Sequence, residues 1–101
     1  LLDLLKQREV QVAVVFPPLL SRKLLYLQAQ DGASRPYLAV REEMAARGIP
    51  MFALAPGAEL LPTEFVNAGH LNDVGAQRFS IGLGQAMRGA RGEIVERVEL
   101  P

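Results

Sequence analysis

The chain has 101 residues, half of them hydrophobic, with eleven basic and eleven acidic side chains, one histidine and no cysteine. That length holds at most one small domain, and a formal net charge of zero lacks the basic excess that a nucleic-acid or anionic-membrane surface requires. Without cysteine there is no disulfide framework, no thiol nucleophile and no thiolate zinc site, and one histidine cannot supply a histidine-rich metal centre.

Taken in chain order, LLDLLKQRE places Leu1, Leu4 and Leu5 on one helical face, as the end of an amphipathic helix does. It reads as the middle of a helix and not as a signal peptide, so the expectation is a piece of a longer protein. Val10 to Phe16, VQVAVVF, is β-branched and almost wholly apolar, the pattern of a strand buried on both faces of a parallel sheet. Pro17 and Pro18 end it, since neither can donate to a ladder, and they are placed to line a cleft at the strand end. The longest apolar run, Val12 to Leu20, is interrupted by these prolines and falls short of the roughly 20 residues a membrane span needs.

SRKLLYLQAQ predicts a helix capped by Ser21, and DGAS breaks it. Ser34 and Pro36 start a further helix to Arg47, in which Tyr37, Val40 and Met44 share a face and Gly48 supplies the C-cap. Ile49 to Ala55 predicts a second central strand. A loop from Pro56 to Leu71 then carries the histidine. Asn72 or Asp73 caps the last helix, where Phe79, Leu83, Ala86 and Met87 recur at helical spacing. The glycines of GLGQAMRG fall inside this helical pattern and lack phosphate-loop spacing, so they read as close packing. RGAR is a solvated basic helix end, REEMAAR an exposed helix face, and GEIVERVELP a further strand in which Ile94, Glu96 and Val98 oppose Val95 and Arg97.

The fold class expected is therefore α/β: part of a three-layer, flavodoxin-like parallel sheet with flanking helices, forming one domain over residues 1–101. Two central strands cannot cover each other's edges, so neighbouring strands must come from elsewhere in a larger domain or from another copy.

Asn67, His70, Leu71, Asn72, Gly75 and Phe79, in the run NAGHLNDVGAQRF, resemble the last motif block of the SGNH (GDSL-type) hydrolase superfamily. That block has Asp-x-x-His followed by Leu-Asn, a two-residue gap, Gly, and a helix with an aromatic residue. The upstream layout, from VAVVFPP through MFALA, is similar to that family's as well. The resemblance covers most of the chain weakly and Phe65 to Phe79 more closely. It implies acyl transfer through a serine, with His70 as general base and then general acid, a task suited to an imidazole that ordinarily titrates near 6.5. It implies that Asn72 caps the following helix and that Gly75 lets that helix approach the sheet. It calls for an acyl-ester small molecule or a carbohydrate ester as substrate, no cofactor, no metal and no nucleic acid, and by analogy an extracytoplasmic setting is open.

Two positions depart from the family. Asn67 stands where the pattern has Asp, and an amide cannot offset the charge of an imidazolium. In serine proteases that exchange costs about 10⁴ in kcat through the wrong tautomer. Glu64, Asp73 or a backbone carbonyl are the candidate substitutes. The Gly-Asp-Ser nucleophile motif does not occur in these residues, and Ser21, Ser34 and Ser80 sit at helix positions or caps. The expectation is the C-terminal part of an esterase or O-acyltransferase whose nucleophile lies in another part of the domain. The alternatives are a degenerate, non-catalytic SGNH-like binding or scaffolding module, or a small α/β interaction module completed by homo-oligomerisation.

Overall fold

The computed structural model describes residues 1–18, 35–55, 57–67 and 69–101. The predicted helix starting at Ser21 and the DGAS break lie outside them. The elements run α1 (Leu2–Gln7), β1 (Val14–Val15), α2 (Arg35–Ala46), β2 (Met51–Leu54), a 3₁₀ turn (Pro62–Glu64), β3 (Phe65–Asn67), β4 (His70–Leu71), α3 (Asp73–Arg88) and β5 (Val95–Val98). The chain is a small α/β protein in which β2 lies between β1 and β5, parallel to both. The short antiparallel pair β3–β4 stands apart from this sheet.

The start of β2 is set by the end of α2. Gly48 adopts φ +68°, its N–H donates to Ala45 O, and the Ile49 N–H reaches back to Met44 O. This is a Schellman end, for which glycine avoids the Cβ penalty of a left-handed residue. Because Gly48 and Ile49 are spent on the cap, pairing with β1 begins only at Val14, whose N–H donates to Pro50 O; the Phe16 N–H donates to Phe52 O. The long strand expected from Val10 is thereby corrected to two residues. β1 is also an edge strand of the described sheet and not a central one, with Val10 and Val15 exposed. Pro18 is buried and Pro17 exposed.

The core joins one side of the sheet to α3. Phe52, Leu60, Phe79 and Val98 are buried together, with Leu54, Phe65, Leu71, Leu83, Ala86 and Leu100 packed around them. Burying each large apolar side chain in such a cluster stabilises by about 1.5–3 kcal/mol. Phe79, Leu83 and Ala86 serve this face as the spacing predicts, but Met87 turns away and is exposed. The closest approach of α3 to the sheet is at Gly82, beside Val98 and the Glu99 backbone. In β5, Glu96 and Val98 point inward and Arg97 outward, while Ile94 precedes the strand and is exposed. The inward Glu96 is held because its Oε1 accepts the N–H groups of Arg91 and Glu93, each at 2.9 Å.

The α1 helix buries no residue; Leu2 and Leu5 are half-covered, whereas Leu1 and Leu4 of the predicted apolar face are exposed. A bridge from Arg47 to Asp3 (2.8 Å) links it to α2, and Arg47 also meets Glu43 at 2.7 Å. The hydrogen bond from Arg47, then its charge, holds the Asp3 carboxyl below the usual carboxylate range. In α2, Met44 is buried but Val40 is exposed, and the Tyr37 side chain lies outside the description. Among the described residues no helix is long and apolar enough to cross a membrane.

Candidate functional site

The histidine does not sit in a loop. It opens β4 of a hairpin in which Phe65 pairs with Leu71 and Asn67 with His70, with an irregularity between the two pairs. A two-stranded hairpin is marginal in water by itself, so its base must be held from outside. The sequence LPTE does this from one side. Pro62 begins a 3₁₀ turn, the Glu64 N–H donates to Leu61 O at 2.8 Å, and Glu64 Oε1 accepts the Leu61 N–H at 2.8 Å. From the other side, the Asn72 N–H donates to Glu64 O (2.9 Å) and Asn72 Nδ2 to Thr63 O (2.7 Å).

Asn72, and not Asp73, is the cap of α3: its Oδ1 accepts the Gly75 N–H at 3.0 Å. Gly75 is needed for a different approach from the one expected. A Cβ there would collide with Glu64 O and stand 3.1 Å from Leu71 Cδ2, so the glycine lets α3 press on the 3₁₀ turn and on β4 of the hairpin, away from the parallel sheet. Helix cap and hairpin base are thus one hydrogen-bonded unit.

At the tip, Asn67 Oδ1 lies 2.7 Å from His70 Nδ1, and both side chains are exposed. The same Oδ1 accepts the Gly69 N–H at 3.0 Å. That second bond settles the chemistry of the pair. A backbone N–H requires an acceptor, so the amide oxygen and not its NH₂ faces this corner; a ring nitrogen at 2.7 Å from that oxygen must then donate. The geometry thus has His70 Nδ1 donating to Asn67 Oδ1, with Nε2 directed away from Asn67. Asn67 thus meets the ring through the same kind of acceptor atom that an aspartate would offer, without an aspartate's negative charge. Glu64, one of the candidate substitutes, is committed to Leu61 and to Arg78 Nη1 (2.8 Å), and Asp73 is exposed in the first turn of α3.

Of the serines, Ser80 is exposed within α3, and Ser21 and Ser34 lie outside the described residues. GLGQAMRG is part of α3, as read. Sequence reasoning missed Arg78, which ties Glu64 Oε1 to Pro101 O through its Nη1 and Nε (2.8 and 3.1 Å). The Pro62-x-Glu64 turn start was a legible signal, because Pro at the first position and Glu at the third mark a capped turn. The partner fourteen residues on carried none. Among the described residues no group of three or more acidic or histidine side chains gathers as a metal site. Compared with protein-family models, with curated proteins and with solved structures, the chain matches none.

Proposed function

We propose that these residues form the histidine-bearing C-terminal part of an SGNH-like domain, an esterase or O-acyltransferase acting on acyl esters, including esters on carbohydrate. In this reading His70 Nε2 takes the proton of a serine hydroxyl supplied by an upstream part of the domain as that oxygen attacks the acyl carbon. The ring then returns the proton to the leaving oxygen. Asn67 orients the ring. The observation that carries the reading is the Asn67–His70 bond of 2.7 Å with the tautomer fixed by Gly69, because only that tautomer leaves Nε2 free to act as a base.

The position of β1 at the edge of the described sheet, with Val10 and Val15 exposed, supports a larger sheet. The test is a longer chain that includes a Gly-Asp-Ser segment. It is expected to hydrolyse aryl acetates, with His70→Ala abolishing the activity; an unchanged rate in His70→Ala removes the catalytic assignment.

The neutral Asn67 favours a second reading, a non-catalytic SGNH-like module that binds or scaffolds. The Asn67→Asp variant of the same longer chain separates the two. An active parent is expected to gain less than the about 10⁴ associated with a full aspartate-for-asparagine exchange, since the tautomer is already correct. An inactive parent that becomes an esterase on the exchange establishes the second reading.

A further inference from the structure

We propose that Glu64 is the positioning residue of the histidine hairpin, its buried carboxylate setting where Asn67 and His70 stand. The proposal rests on the reading of His70 as a base. Glu64 is only 4% exposed, and its Oε2 is buried with no hydrogen-bond partner among the described residues. Burying a carboxylate with half its acceptor capacity unused is costly, and apolar replacements of buried ion pairs are often as stable as the pair or more so. Stability alone therefore gives no reason for a charge at this position.

Position does. Glu64 closes the 3₁₀ turn and immediately precedes β3, three residues before Asn67. Its Oε1 holds the Leu61 N–H on the way into the hairpin, its backbone oxygen holds Asn72 on the way out, and Arg78 Nη1 fastens the same Oε1 to the second turn of α3. The side chain joins the entry of the hairpin to the helix behind it, and the backbone oxygen of the same residue holds the exit. The Asn67–His70 pair is exposed at the tip, where, among the described residues, the Gly69 N–H is the further hydrogen-bond partner of Asn67 Oδ1. Its geometry is inherited from the base that Glu64 fixes.

The ring nitrogens of His70 report this directly. In the ¹⁵N-labelled chain at alkaline pH, where an imidazole is neutral, His70 is expected to favour the tautomer protonated at Nδ1. The double variant Glu64→Leu/Arg78→Met removes charge and partner together, and Glu64→Gln keeps the size and removes only the charge. In each folded variant the ratio of the two tautomers is expected to shift by about five-fold toward the Nε2-protonated form, the change that losing one ordinary hydrogen bond produces. A double variant that melts no lower than the parent but shows this shift separates positioning from stability. Should the double variant not fold, Glu64→Gln decides alone.

Parent and variants that favour the Nδ1-protonated form equally would overturn the role of Glu64 while leaving His70 and Asn67 as assigned. A parent that does not favour that form would overturn the pair itself, and the role of Glu64 with it. Because the readout is ring protonation and not turnover, it holds whether or not the longer chain is an esterase.

Discussion

Gly82→Ala is expected to destabilise the protein by about 2 kcal/mol, whereas Gly84→Ala, two residues further along α3, should stabilise it by about 1 kcal/mol. Both positions are interior to the helix, where alanine is favoured over glycine by about 0.8–1 kcal/mol. They differ in what a Cβ meets. At Gly82 it would stand 2.2 Å from Glu99 O and 3.2 Å from Val98 Cγ1. Neither obstacle is the loose end of a side chain: one is backbone following β5, the other a side chain with no exposed surface. The helix would have to lift from the sheet, loosening Phe79, Leu83 and Ala86 against Val98. At Gly84 the nearest atom is Arg88 Nη1 at 3.7 Å, the tip of a flexible side chain. Thermal unfolding checks this, since 1 kcal/mol moves the midpoint of a domain this size by about 4–8 °C. Two variants shifted in the same upward direction would mean that α3 does not rest on β5 at Gly82.

Arg78→Met is expected to cost about 3 kcal/mol. The Glu64 side chain is 5% exposed and the Arg78 side chain 33%. Among the described residues, removing the guanidinium leaves the carboxylate buried with only the Leu61 N–H on Oε1 and no partner on Oε2. Breaking a buried pair from one side costs about 3–5 kcal/mol, and the partial exposure of Arg78 places this case at the lower end. Methionine keeps the apolar stem packed, so the loss reads the charge and its bonds, including the Nε donation to Pro101 O. Denaturant unfolding of Arg78→Met beside the double variant with Glu64→Leu separates the terms. The second substitution should recover most of the loss, because the uncompensated charge is then gone. A single variant as stable as the parent would mean that the Glu64 carboxylate is not held by Arg78.

Much of the helical architecture was legible because its signals are local. Asn72 before a helix-period run announces a cap, and Gly48 after one announces a left-handed end; each works through bonds within five residues. The apolar block at Met51 to Leu54 announces a buried strand for the same reason. The Asn-x-x-His spacing made Asn67 and His70 candidates for a pair, and a three-residue separation across a tight hairpin tip can bring two short side chains together.

What the sequence by itself determined is thus the two longer helices and the β2 strand, the left-handed end at Gly48, and Asn67 and His70 as the side chains to pair; the 3₁₀ turn and hairpin around them read as a loop. The tertiary structure decided the rest, because it depends on which distant groups compete for the same atoms. Val10 to Ala13 have strand chemistry, but Gly48 and Ile49, the residues that would continue their ladder, are taken by the end of α2. Gly75 could have faced the parallel sheet or the hairpin, and only the packing of α3 on Glu64 and Leu71 chose the hairpin base. The orientation of the Asn67 amide, and with it the tautomer of His70, follows from one backbone N–H whose direction is set by the hairpin. Glu64 and Arg78, fourteen residues apart, meet only because α3 folds back over the 3₁₀ turn.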